Sequence, residues 1–375
     1  MVVALLSACS TSPNIGRSAS TSEAPCEVTV GVVRIAEGVP AAMSRSAEAG
    51  FDTWLEQTRG DGGVNGRAVS SISRTVGASA DAGRAAQELV DAGASLIITP
   101  VSSDASVAAG KVAVPAGVPA ISWAGTSPTI VESVGRGMFS NGHSDRAQGQ
   151  ALADYARAQG YGRALTVRGP ETLFTDGLPK FFTESFAAGG GTAVGEELFR
   201  FGQTDFSSVV SRVKSSGADV LVTAAYGPEL TNLLTQLRAA GITTPVIGAD
   251  GAVDPAVAAL PAAEGLAYTS YVVADPARAD GVSAAITERS GVQDFPMTSL
   301  LGYEMGLVLD DAIASSASCS PRDLGLALAE VSGVPGLTGT VTFAGGDGMA
   351  VRDMTVVQVR DGAVVPVFTR PAGAD

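Results

Sequence analysis

The chain has 375 residues, enough for two or three cores of ordinary size, and with 45% apolar and 17% charged residues it is too apolar for disorder. Its 24 Lys and Arg against 38 Asp and Glu give a net charge of −14, the opposite of the basic footprint that phosphate backbones attract, which argues against nucleic acid as a partner. One histidine and three cysteines leave little for zinc ligation, histidine acid–base chemistry or a thiol framework, so most enzyme mechanisms are disfavoured.

At the N-terminus, Met1 to Ala8 is apolar up to Cys9, and Leu6-Ser7-Ala8-Cys9 resembles the lipobox of bacterial lipoproteins. That resemblance implies cleavage before Cys9 and a lipid on its sulfur, which makes 1–9 the end of a signal. The stretch lacks a basic start and is shorter than a whole signal peptide, so a longer signal is expected to precede it. Ser10 to Asn14 and Ser18 to Ser22 read as a flexible tether over 10–25, with folded sequence from Cys26. With Cys9 lipidated, Cys26 and Cys319 remain, an even number in an oxidising compartment. One precedes the first strand and the other follows a helix ending near Ser316, ends that share an edge of a parallel layer. A bridge between them is expected over two free buried thiols.

From Cys26 to about residue 270, β-rich runs alternate with helical patterns. Val28 to Val33, Leu96 to Ile98, Ala164 to Val167, Val220 to Val222 and Val246-Ile247 are nearly continuous apolar runs, the mark of strands covered on both faces. Ala47, Phe51, Trp54 and Leu55 form one helix stripe; Phe206, Val209, Val210 and Val213 form a second, and Leu230, Leu233, Leu234 and Leu237 a third. The alternation occurs over 27–125 and again over 161–270, with a helix from Arg146 to Gln159 between, so two similar βα layers are expected. Beyond 275 the pattern turns helical over 277–290, 298–315 and 321–331, then returns to strands at Gly339 to Phe343 and Met354 to Val359. Such a tail suggests a chain crossing back between lobes. No apolar run reaches the roughly 18 residues of a membrane span.

Chemistry-bearing motifs are scarce. No phosphate loop or G-x-G-x-x-G follows a strand, and no nucleophile elbow is present. His143 has no second histidine for a metal and reads as a lone surface or hinge residue, so no metal or other cofactor is expected. Adjacent carboxylates at Glu196-Glu197 and Asp310-Asp311 diverge on regular elements and suit solvated faces. Two nucleotide-fold-like lobes without catalytic parts suggest a cleft that binds and releases.

Gly60-Asp61-Gly62-Gly63-Val64-Asn65-Gly66-Arg67 looks like the GGINGR turn of bacterial extracytoplasmic solute-binding proteins of the branched-chain amino-acid type. Thr99 to Ser103, Ile121 to Pro128, Gln203 to Ser207, Ala225 to Glu229 and Ile247 to Gly251 match further motifs in the family's order, over about 26–368. The resemblance implies the type I periplasmic-binding-protein fold: α/β, two doubly wound parallel-sheet lobes joined by a three-strand hinge. It assigns 26–142 with 272–335 to the first lobe and 143–271 with 336–368 to the second, leaving 369–375 as a tail. It also implies a lipid-anchored, extracytoplasmic monomer that hands a small ligand, most simply an aliphatic amino acid, to an ABC permease. A non-transporting sensor ectodomain, and amide, urea-like or aromatic-acid ligands, are the alternatives; an enzyme on this scaffold is the weakest.

Carried over by motif, Ser103, Ala124, Gly125 and Thr126 would hold a ligand carboxylate with hydroxyl and main-chain N–H groups, and Ser103 opens a helix whose free N–H groups favour an anion. Asp250 would pair with the ligand ammonium, and Tyr226 and Phe174 would cover the ligand. As ordinary structure, Ser103 and Thr126 suit capping and turns, and Asp250 an Asp-Gly turn. Two residues depart from the pattern: Arg34 could reach a ligand carboxylate or pair with Glu37, and Asp104 would oppose a nearby carboxylate.

Overall fold

The computed structural model describes residues 26–373, so Cys9 and the tether over 10–25 lie outside the described residues. The first lobe begins with β1 (Glu27–Ile35), α1 (Val39–Gly60), β2 (Ala68–Val76), α2 (Ala82–Asp91), β3 (Leu96–Thr99), α3 (Ser103–Ala113), β4 (Ala120–Ser122), α4 (Thr129–Val134) and β5 (Met138–Ser140). Its strands lie in the order β2-β1-β3-β4-β5, every neighbour parallel.

The second lobe holds α5 (Asp145–Ala158), β6 (Arg163–Arg168), α6 (Leu173–Ala188), β7 (Thr192–Leu198), α7 (Ser207–Ser216), β8 (Val220–Thr223), α8 (Gly227–Ala239), β9 (Val246–Gly248), the single turn α9 (Pro255–Ala258) and β10 (Ala267–Ser270). Then come α10 (Pro276–Ser290), α11 (Pro296–Ser315), α12 (Pro321–Ala329), the short strands β11 (Val334–Pro335) and β12 (Thr340–Val341), and the hairpin β13 (Met354–Arg360) to β14 (Ala363–Arg370). The second sheet runs β14-β13-β10-β9-β8-β6-β7, parallel from β7 to β10 and antiparallel through β13 and β14.

Strands β3, β8 and β9 are buried along their whole length, because helices cover both faces of each sheet. Strand order reverses between β1 and β3 in one lobe and between β6 and β8 in the other. Crevices for ligands form beyond the strand carboxyl ends at such reversals, and here both sheets present theirs to the interlobe cleft. The glycine-rich turn after α1 closes on a Val64–Arg67 bridge with Asn65 at φ 50° and Gly66 at φ 76°, a conformation that few other residues adopt, so this motif is architectural.

Segments 141–144, 271–275 and 351–353 cross between the lobes. The structure differs from the expectation over 336–353, which was assigned to the second lobe. Val341, Phe343 and Ala350 pack in the first-lobe core with Trp54 and Leu328, and the Phe343 ring lies 5.4 Å from that of Phe139. Main-chain bonds from Ser140 to Gly348 and from Ala350 to Ser140, both 2.9 Å, extend the first sheet past its edge strand β5. Cys26 and Cys319 form a disulfide that ties the start of β1 to the segment before α12, 293 positions away; closing so long a loop contributes at most about 6 kcal/mol in the chain-entropy model.

Helix α11 belongs to the first lobe through unusually close contact with α1. A Cβ on Gly50 would lie 1.9 Å from the Ser299 carbonyl oxygen, and one on Gly302 would lie 1.7 Å from that of Ala47. Both obstacles are backbone, which a side-chain rotation cannot relieve. Gly302→Ala is therefore expected to cost about 2–3 kcal/mol or more of stability. Gly281→Ala, on the exposed face of α10 with open space around it, should be neutral or gain up to about 1 kcal/mol. Thermal and urea unfolding of the two variants checks the contrast, and equal effects would refute it.

Candidate ligand-binding site

A cavity of ≈ 480 Å³, its mouth included, lies between the lobes. The first lobe contributes Ser103 from the start of α3 and Ala124 and Thr126 from the loop after β4; the second contributes Phe174 from α6, Tyr226 after β8, and Asp250, Gly251 and Val253 after β9. Met43 and Val101 from the first lobe, Tyr271 from the second crossing segment, and Met297, Thr298 and Leu301 from α11 complete an apolar side.

On the first-lobe wall, Ser102 caps α3 by accepting from the Ala105 N–H at 3.3 Å, which leaves Ser103 at the first helical position. The Ser103 hydroxyl accepts from the Ser127 N–H at 3.2 Å and so braces the β4 loop. Among the described residues the main-chain N–H groups of Ser103, Ala124 and Thr126 have no hydrogen-bond acceptor. Exposed donors at a helix start and a tight loop favour an anion.

Gly125 departs from its expected role. Its N–H donates to the Ser122 hydroxyl at 3.0 Å, and a Cβ there would lie 2.7 Å from both Ile130 and that hydroxyl. It turns inward and does not line the cavity; the matched motif needs glycine there for packing.

The second-lobe wall is acidic. Burial pushes the Asp250 carboxyl up to about 7, against the pull of Gln148 and of the main-chain N–H groups of Asp250 and Gly251. Sequence reasoning missed Asp145, at the start of α5, which reads as an ordinary helix-start acid. It is fully buried, its Oδ2 lacks a partner, and its Oδ1 accepts from Gln148 Nε2 at 3.4 Å. Burial, then the neighbouring Asp250 charge, hold its carboxyl well above the usual range, opposed by the Thr126 hydroxyl. Gln148 links the pair, since its Oε1 accepts from the Asp250 N–H at 3.4 Å. The i, i+3 spacing of Asp145 and Gln148 on one helix face was the available signal.

Phe174 and Tyr226 stand with ring centroids 5.3 Å apart, and Gly251 leaves them room, because a Cβ there would come within 2.9 Å of Phe174. Burial, then the surrounding carboxylates, push the Tyr226 hydroxyl far up, so it stays a neutral donor. Arg34 is not at the site: it forms a double hydrogen bond with Glu48 at the surface. The Asp104 side chain points away from the cavity toward α6.

A family model described as "Periplasmic binding protein" matches residues 27–363. The Leu/Ile/Val-binding protein homolog 3 of Brucella melitensis is 25% identical over 76% of this chain and 78% of its own length. The Leu/Ile/Val-binding protein BraC3 of Rhizobium johnstonii is 24% identical over 85% and 88% of the two chains. Among solved structures, a leucine-binding protein from Thermotoga maritima superposes with a TM-score of 0.82 at 25% identity, covering 92% of this chain and 99% of its own.

The raised carboxyls give the empty site a pH signature. A folded-state acid that titrates near 7, against roughly 4 when unfolded, holds its proton more tightly in the folded protein. Its contribution to stability is whole below pH ~4 and is lost as pH rises through about 7. Asp250→Asn, without ligand, should match the parent protein near pH 4.5 and melt at a higher temperature at pH 8. Melting curves across that range test it, and parallel pH profiles would refute it.

Proposed function

This chain belongs to the periplasmic binding protein family, and we propose that it captures a free α-amino acid with an apolar side chain between its lobes for delivery to an ABC permease. One observation carries the reading: unpaired main-chain N–H groups on the first-lobe wall stand across the cavity from the Asp250 carboxyl, which Gln148 links to the fully buried Asp145 carboxyl, beside an apolar side. A zwitterion needs one anion-holding and one cation-holding wall, and its remaining substituent needs apolar surface. Ser103, Ala124 and Thr126 hold the carboxylate; Asp250 holds the ammonium, and the buried Asp145, joined to it through Gln148, adds its charge from behind that wall; Phe174 and Tyr226 close over the ligand. The side chain lies against Leu301 and against Met43 and Met297, whose soft thioethers fit aliphatic groups of differing branching. The relatives named for Leu, Ile and Val binding support the amino-acid assignment.

The bound ammonium repays a cost already present in the empty site. Burial holds the Asp250 carboxyl up at about 7 there; the ligand's charge favours its ionised form, so binding releases a proton and tightens as pH rises through about 7. The Cys26–Cys319 disulfide suits an oxidising, extracytoplasmic location, and Cys9 supplies the lipid anchor of a monomeric protein.

Calorimetry should find L-leucine, L-isoleucine or L-valine bound with a Kd of about 10 μM or tighter. 4-Methylpentanoate, which lacks the ammonium, and isoamylamine, which lacks the carboxylate, should not bind. Asp250→Ala and Asp145→Ala should each weaken L-leucine by about a hundredfold or more, since each removes one side of a buried charge pair. Retained affinity in either variant, or no binding by the folded parent protein, refutes the assignment.

A further inference from the structure

Helix α6 begins in an unusual way. Its own cap is Thr172, whose hydroxyl accepts from the Thr175 N–H at 3.1 Å, but the first helical N–H, that of Leu173, donates to Asp104 Oδ2 at 3.2 Å. Asp104 belongs to α3 in the opposite lobe. A half-buried carboxylate from one lobe therefore completes the positive end of a 16-residue helix in the other, where a negative charge is favoured. This bond has neighbours that matter: Ser103, one residue before Asp104, lines the first-lobe wall, and Phe174, one residue after Leu173, lines the second.

We infer that Asp104 is a positioning residue for ligand retention: its bond to Leu173 latches α3 to α6 in the closed state and holds Phe174 over the cavity. The inference rests on the ligand-binding reading above but assigns Asp104 no contact with the ligand. Separating the lobes hands both partners to water, so the bond forms only on closure. A contact absent from the open encounter state acts on the dissociation rate and leaves the association rate nearly unchanged. It also explains an acid beside an anion-holding wall, because its oxygen is aimed across the cleft and not at the ligand.

Two variants remove the two ends of the bond. Asp104→Ala deletes the acceptor. Leu173→Pro deletes the donor at a position where proline is tolerated, and Thr172 before it already has the extended backbone that a following proline requires, with φ −136° and ψ 157°. With L-leucine as probe in stopped-flow displacement, each variant should raise the dissociation rate about tenfold, or ~1.4 kcal/mol, with association within about twofold of the parent. The double variant should be no worse than either single one, because one bond is lost only once. Asp104→Asn, which keeps an acceptor oxygen without the charge, should fall between. An unchanged dissociation rate or additive effects would overturn the latch while leaving the ligand assignment intact. Should the parent protein not bind L-leucine, donor and acceptor fluorophores on α2 and α7 read the lobe separation directly. The latch requires both variants to be more open than the parent, and equal separations overturn it.

Discussion

The whole molecule turns on a buried ion pair where the chain crosses between its lobes. Arg352, on the third crossing segment, and Glu304, on α11, are 2% and 0% exposed and meet at 2.6 Å. The same guanidinium donates to Asn141 on the first crossing segment and to the Thr338 hydroxyl at 2.8 Å, while Glu304 accepts both the N–H and the hydroxyl of Thr338 at 2.9 Å. Burying two charges is a poor source of stability, since the desolvation cost can exceed the attraction. What it supplies is register: any arrangement that parts them leaves a lone buried charge, at about 3–5 kcal/mol. The crossing segments are thus pinned at one point, and lobe motion has to occur around it. The second crossing segment joins through Tyr271, whose hydroxyl accepts from the His143 N–H at 2.9 Å and whose ring stacks on the imidazole at 3.9 Å. Burial, then the Arg352 charge, keep His143 well below its usual range, so the chain's one histidine is a neutral packing ring.

Tyr271 also lines the cavity, so hinge and site share a wall. The contrast between them is instructive. At the hinge every carboxylate oxygen has a donor; beside the cleft, the buried Asp145 keeps an oxygen without one, and Asp250 lines the cavity. The same chain that buries a carboxylate beside an arginine at one place sets two a short way off with no salt-bridge partner among the described residues. That difference fits the ammonium role proposed for Asp250, a carboxyl held out of its ordinary range with no salt-bridge partner among the described residues.

Much of this was legible in the sequence, for physical reasons that also explain what was not. Strands covered on both faces, such as Leu96 to Thr99 and Val220 to Thr223, write themselves as apolar runs. Edge strands do not: β2, with Ser70, Ser71 and Ser73, and β7, with Glu196 and Glu197, look like loops because one face or edge meets water. Ser103, Ala124, Thr126, Phe174, Tyr226 and Asp250 were found through motifs and do line one cavity, yet Gly125 was assigned a contact where it supplies only space. Met43 and Met297 left no local trace, because a methionine on a helix facing a cavity reads the same as one facing a core. The 336–353 segment misled for a similar reason: its destination is set by where Phe343 finds Phe139, a contact across some two hundred positions that no local pattern encodes.

The apolar side of the cavity shows how packing far from any motif can govern recognition. Met43 comes from α1, and Met297, Thr298 and Leu301 come from α11. The distance between those helices is fixed by Gly50 and Gly302, where each backbone rests against the other. Because both obstacles are carbonyl oxygens, the spacing is rigid, and the depth available to a ligand side chain is set by two glycines that never touch it. In the proposed binding mode the polar walls select a ligand that carries an anion and a cation, a requirement shared by every α-amino acid. Discrimination among such ligands then falls to the α1–α11 gap, where one methylene more or less is worth about 1–3 kcal/mol. In that binding mode specificity is a property of helix packing in the first lobe, imposed on a charge pattern divided between both.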